Sequence, residues 1–135
     1  MTAGIRAAYD IGADDWRDGV GRGLFYLRKL LDTYDLMGVD PVGVQVSGVF
    51  HGKAGYWLLT DAAYREETGR EEANPNKALI AELMKRGVSL ELCSQTMLAH
   101  GWEPQDVLPG VLIVTGAYPR LIDLQLRGYA YIGGF

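Results

Sequence analysis

At 135 residues the chain has the length of one domain, and with 48% hydrophobic and 22% charged residues it has material for a core, unlike a disordered chain. Its net charge of −4 excludes the clustered cationic surface that nucleic acid requires, and no stretch approaches the roughly 20 apolar residues that span a bilayer. A single cysteine rules out an internal disulfide and a Cys-x-x-Cys redox pair; with no basic start and apolar run in Met1 to Gly12, the chain reads as cytoplasmic, as would one trimmed of a leader.

Ile5 to Ile11 is a short apolar run closed by Gly12 and reads as a strand. Asp14 and Asp15 then supply N-cap chemistry, and Trp16, Val20, Leu24, Leu27, Leu31 and Tyr34 recur at spacings of three and four, which predicts one amphipathic helix ending at Gly38. After Pro41 a second strand runs from Val42 to Phe50, with Val42, Val44 and Val46 alternating with Gly43, Gln45 and Ser47. Gly52 to about Glu67 has a helical pattern, and the polar stretch Thr68 to Asn76, with Gly69 and Pro75, is expected to be a mobile loop. Lys77 to Arg86 is a helix with Leu79, Ile80, Leu83 and Met84 inward and Gly87 as its stop. A strand at Val88 to Leu92, a helix at Ser94 to His100, an apolar strand at Val111 to Thr115, a helix at Pro119 to Arg127 and a strand at Gly128 to Ile132 complete the order.

Strands alternating with helices predict a single α/β domain, a parallel sheet covered by helices on both faces through right-handed crossovers. In such sheets the loops at the carboxyl ends of the strands form the binding crevice. Those loops carry Asp10, Phe50, His51, Cys93, Ser94, Gln95, Thr115 and Gly116.

Cys93 ends a strand and precedes a helix whose first N–H groups have no internal partners, a setting that favours a thiolate or persulfide anion; as a lone cysteine it is equally suited to be a small buried hydrophobe. Glu91, two residues earlier, projects to the same face and opposes an anion there. Strand parity puts Arg6 and Gln45 in the same polar layer, so Arg6 is expected to pair with Glu91 if the first three strands are neighbours; the other reading of that layer is an edge strand or subunit contact. His51, at the end of the second strand, can serve as base or hydrogen-bond donor beside Cys93, whereas His100 beside Gly101 suits a helix end. Gly19-Val20-Gly21-Arg22-Gly23 has phosphate-loop composition but falls within the helical pattern, so Gly19 and Gly23 are expected to admit a close backbone neighbour, such as another subunit. Without a Gly-x-Ser-x-Gly elbow or enough ligands for zinc, neither a hydrolase nor a metal site is expected.

Phe50-His51-Gly52, Asn74-Pro75-Asn76 through Leu79-Ile80, Gly87-Val88, Leu92-Cys93-Ser94-Gln95-Thr96, Leu108-Pro109-Gly110-Val111, and Leu124-Gln125 through Gly128-Tyr129-Ala130-Tyr131-Ile132 together resemble the DsrE/DsrF-like family, with its YchN-like fold. The resemblance implies a three-layer α/β/α domain with a five-stranded, mainly parallel sheet, assembled as a homotrimer or hexamer. Some members carry sulfur as a persulfide on a cysteine and pass it to a partner; Cys93 matches the family cysteine and His51 a histidine found in part of the family. The expected function is sulfur handling at Cys93 with help from His51, between donor and acceptor proteins and without a cofactor. The other reading is a non-catalytic oligomeric module that binds a small ligand or nucleotide between subunits, at Asp10, Ser94, Gln95, Thr115 and Gly116.

Overall fold

A computed structural model describes residues 4–135. In chain order, β1 (Ile5–Ile11) leads through a hairpin of β2 (Trp16–Arg17) and β3 (Val20–Gly21) into α1 (Arg22–Leu36). Then come β4 (Val44–Phe50), α2 (Asp61–Thr68), α3 (Lys77–Lys85), β5 (Ser89–Cys93), α4 (Ser94–His100), β6 (Leu112–Val114), α5 (Ala117–Leu126) and β7 (Ala130–Ile132). The main sheet has five strands in the order β6-β5-β4-β1-β7, and each neighbouring pair is parallel. This is the expected three-layer α/β/α architecture.

The two faces are covered unequally. Alternate strand residues Ala7, Tyr9, Ile11, Val46, Phe50, Leu90 and Leu92 point to one side, where they pack with Leu24, Leu27 and Leu31 of α1 and Leu79, Ile80 and Leu83 of α3. The opposite side holds a smaller cluster, Ala8, Val49 and Cys93 under Ala117, Leu121 and Leu124 of α5. One helix therefore roofs the face on which Cys93 lies. Phe50, expected in the crevice, is fully buried on the larger face, because its parity is opposite to that of Val49 and His51.

Several local expectations change. Residues 16–21 form a hairpin instead of the first turns of a helix: Trp16 pairs with Gly21 and Arg17 with Val20. Asp18 at φ 52° and Gly19 at φ 82° supply the two left-handed positions of a type I′ turn. Gly23 does admit a close neighbour, but it is the chain's own Ile11, whose side chain lies 2.7 Å from where a Cβ would stand. Pro41–Gly43 is a 3-10 turn capped by Asp40, which accepts from Val42 N at 3.0 Å, so Val42 precedes the strand and is exposed. Gly52–Leu58 winds as a 3-10 helix, tucking Trp57 beneath Gly21 so closely that no side chain fits at residue 21. The helix α2 starts only at Asp61, behind the Thr60 cap.

The polar stretch expected to be mobile is pinned at its far end. Asn74 and Asn76 are buried. Asn74 Nδ2 donates to the carbonyls of Trp57 and Leu59, both at 2.8 Å, while its Oδ1 accepts from Asn76 N at 2.9 Å. Asn76 Oδ1 in turn accepts from Gly21 N at 2.7 Å, which ties the hairpin to the segment before α3. Composition marked these asparagines as loop; as buried side chains they supply the partners that an irregular backbone lacks.

Candidate functional site

The carboxyl ends of the parallel strands bring Asp10, His51 and Cys93 to one edge of the sheet. Phe50 pairs with Leu92, so the next rung sets His51 on β4's exit beside Cys93 on β5. His51 N continues the ladder by donating to Ile11 O at 3.0 Å. The loop that follows is tied to α4, since Gly52 N donates to Thr96 Oγ1 at 3.0 Å. Thr96, in the Cys93-Ser94-Gln95-Thr96 segment, thereby couples the position of His51 to the helix that Cys93 precedes.

The imidazole is held on several sides. His51 Nε2 lies 2.6 Å from Asp10 Oδ1, and both side chains are about one-fifth exposed. Tyr131 on β7 donates its hydroxyl to the other oxygen, Asp10 Oδ2, at 2.5 Å. That bond raises the Tyr131 hydroxyl above the usual phenol value, with burial a smaller cause in the same direction. Tyr118 from the first turn of α5 meets the His51 ring edge to face at 5.6 Å, and a Cβ on Gly12 would come within 2.7 Å of its Cε1. A neutral imidazole that donates Nε2–H to Asp10 keeps the lone pair of Nδ1, which makes no hydrogen bond among the described residues, as a proton acceptor.

Cys93 stands close by but in different surroundings. It is 5% exposed and lies in the smaller cluster with Ala8, Val49, Ala117, Leu121 and Leu124. Its backbone is the N-cap of α4, without a side-chain cap bond. The first turn of α5 therefore contributes to both surroundings, Ala117 to the buried cluster that holds Cys93 and Tyr118 to the side of the imidazole.

Glu91 does share the face of Cys93, yet its partner is not Arg6. Arg6 pairs in register with Gln45 and Glu91 with Val49, four rungs apart, about 13 Å along the strands at a rise of roughly 3.3 Å per residue. Arg6 instead donates to Gln45 Oε1 at 3.2 Å and to the carbonyl of Arg127 at 3.0 Å. The fully buried Glu91 carboxylate receives Arg120 Nε at 2.6 Å and Nη2 at 3.2 Å from α5, with Ser89 Oγ at 2.9 Å. The hydrogen bond to Glu91 raises the Arg120 guanidinium above its usual value. A charge that would oppose an anion at Cys93 is thus neutralised from the roof helix.

The remaining expected site residues fall around this centre. Ser94 Oγ donates to Thr115 O at 2.9 Å, linking the exits of β5 and β6. Thr115 and Gly116 line a hollow of about 410 Å³ with Val114, Pro119 and Arg120. Gln95 is exposed. His100 closes α4, stacks on Trp102 at 4.6 Å and lies 3.3 Å from Glu67, a structural role at a helix end. Among the described residues no group of three His, Cys, Asp or Glu side chains is arranged to hold a metal ion, and no helix is long and apolar enough to cross a membrane. Three contributors escaped sequence reasoning: Tyr131, Tyr118 and Arg120. Tyr131 was reachable by parity, since it pairs with Ala8 and so shares the face of Asp10; the other two depend on where α5 lies.

The family model described as the DsrE/DsrF-like family matches residues 21–133, a span that includes His51, Cys93, Arg120 and Tyr131. Curated proteins provide no match. Among solved structures, the protein of unknown function MTH1491 from Methanobacterium thermoautotrophicum is similar with a TM-score of 0.73 and 22% identity, over 96% of this chain and 99% of that one. That likeness extends the shared fold to nearly the whole chain.

Proposed function

This chain belongs to the DsrE/DsrF-like family, and on that premise we propose that it is a cytoplasmic sulfur-handling protein that carries sulfur as a persulfide on Cys93 and passes it to an acceptor thiol. The observation that carries the proposal is the only cysteine leaving its strand at the same level of the sheet as the neighbouring strand's imidazole, which is anchored by a carboxylate. In the loading step the Cys93 thiol gives its proton to His51 Nδ1 and its sulfur attacks the outer sulfur of a donor persulfide. One S–S bond forms, the donor's own S–S bond breaks, and the donor leaves as a thiolate. In unloading, an acceptor thiolate attacks the outer sulfur on Cys93, and Cys93 leaves as the thiolate. Each step exchanges one S–S bond for another, so no external oxidant enters. Because Cys93 is 5% exposed in the cluster beneath α5, loading requires that helix to shift.

Intact-mass analysis after incubation with a persulfide donor tests this. Wild type is expected to gain sulfur, Cys93→Ser none, and His51→Ala to load at least about tenfold more slowly, as for loss of a positioned base. Wild type that stays unloaded, or Cys93→Ser that loads equally, sinks the proposal. The 5% exposure of Cys93 favours a second reading, a non-catalytic module that binds a small ligand or nucleotide in crevices between subunits. On that reading a metabolite raises the melting temperature and still does so in Cys93→Ala.

Either activity is proposed to reside in a homo-oligomer, a trimer or hexamer. Tyr118, Ile122 and Leu126, at 67%, 57% and 83% exposure, follow one another at intervals of four along the outer side of α5, while Leu112 and Tyr131 are about half exposed. An apolar stripe of this kind favours burial against another subunit. Light scattering is expected to give an oligomer for wild type and a smaller species for Ile122→Glu; a monomeric wild type refutes the assembly.

A further inference from the structure

A second recess opens where the β2–β3 hairpin faces α2, and it shares no residue with the group around Cys93. It is a cavity of about 500 Å³ lined by Asp14, Trp16, Tyr56, Tyr64, Arg70 and Glu72. The Trp16 and Tyr56 rings meet at 6.5 Å between centroids with their planes 50° apart, Tyr56 stacks on Tyr64 at 5.7 Å, and Trp57 meets Trp16 edge to face with ring centres 5.8 Å apart. The rings thus form walls at an angle. Asp14 Oδ1 holds them together, accepting from Trp16 Nε1 at 2.8 Å, Tyr56 Oη at 2.7 Å and Trp57 Nε1 at 3.1 Å. Asp14 Oδ2 accepts no hydrogen bond among the described residues. At the rim Glu72 is paired with the largely exposed Arg70 at 3.4 Å.

These features define what fits. Aromatic faces carry negative potential and attract a cation, Trp most strongly. The two indole N–H groups and the Tyr56 hydroxyl are already bonded to Asp14, so a sugar or other neutral polar solute finds few donors, whereas the carboxylate charge remains. A primary ammonium needs several acceptors for its N–H bonds, and ring faces are poor ones. An ammonium whose hydrogens are replaced by methyl groups needs none, and it presents a diffuse charge with an apolar skin. We propose that this recess is a binding site for a small quaternary ammonium solute, with Trp16 and Tyr56 as its walls and Asp14 as its counter-charge.

The test uses the whole protein and two probes of nearly equal shape: choline, and the neutral analogue in which carbon replaces its nitrogen. Each is titrated at constant ionic strength while the indole N–H resonances of Trp16 and Trp57, both hydrogen-bonded to Asp14, are followed by NMR, the Trp57 signal serving as reporter in Trp16→Leu. Choline is expected to bind about fivefold tighter than the carbon analogue, the scale of a cation–π contact at a partly exposed site. Trp16→Leu and Asp14→Asn should each weaken choline about fivefold or more, with folding checked by circular dichroism, and Cys93→Ser should leave it unchanged. Trp16 is partly exposed on the hairpin, so Trp16→Leu removes a wall without opening the core. Equal affinity for the two probes, or no response to choline, overturns the proposal.

Discussion

Arg120→Ala is expected to cost about 3 kcal/mol of folding stability, the range found when one partner of a buried ion pair is removed. The reason is the state in which it leaves Glu91. That carboxylate is fully buried and draws two of its three hydrogen bonds from Arg120, so the variant strands an ionised group with only the Ser89 hydroxyl as donor. Replacing both partners with apolar side chains, Glu91→Leu with Arg120→Met, should recover much of the loss, because the desolvated charge disappears with its partner. Urea midpoints of wild type, Glu91→Leu, Arg120→Met and the double variant measure the coupling. A loss below about 1 kcal/mol in Arg120→Ala would mean that water reaches the carboxylate and the pair behaves as a surface ion pair.

Asn74→Ala should be comparably damaging, by about 3 kcal/mol, without involving any charge. One side chain serves the carbonyls of Trp57 and Leu59 and the amide of Asn76, and all three lose their partner at once. The isosteric Asn74→Asp separates hydrogen bonding from packing. It keeps the shape and the acceptor but places a carboxylate against two carbonyl oxygens, so at neutral pH it should be at least as unstable as the alanine variant. Thermal unfolding decides, and an aspartate variant near wild type would show that the two carbonyls find other donors. Because Asn76 reaches Gly21 N, loss of this clamp also releases the hairpin that carries Trp16.

The sequence carried the alternation of strands and helices clearly. The helix Ser94–His100 has the expected bounds, with Gly101 as its stop, and Lys77 to Arg86 differs by a single terminal residue. The hairpin was missed although its turn was written out. Trp16, Val20 and Leu24 repeat at helical spacing, and that signal outweighed the Asp18-Gly19 pair, which is among the strongest hairpin cues. Parity placed Arg6, Glu91 and Cys93 on one face, as the registers show. Distance along the strand is a separate quantity that parity does not contain, so Arg6 was assigned a partner it cannot reach. Arg120 was illegible for a related reason. Its role depends on the return from β6 across the sheet to β7, which lays α5 over the face bearing Glu91, and no local pattern encodes which face a returning helix covers. The burial of Cys93 follows from the same crossing.

The pairing of β1 with β7 has a consequence for how the molecule is made. Asp10 and Tyr131 are separated by 121 positions, and the strand that supplies Tyr131 is the last of the sheet to be synthesised. While the chain is still emerging, β1 can join β4, but its other edge presents unpaired amides and carbonyls, an invitation to wrong partners. Contacts this distant in sequence also slow the search for the native topology. The hydroxyl that anchors Asp10 thus arrives after every other strand of the sheet has been made, so the polar group around His51 is completed only after the hydrophobic layers beneath it have had time to assemble.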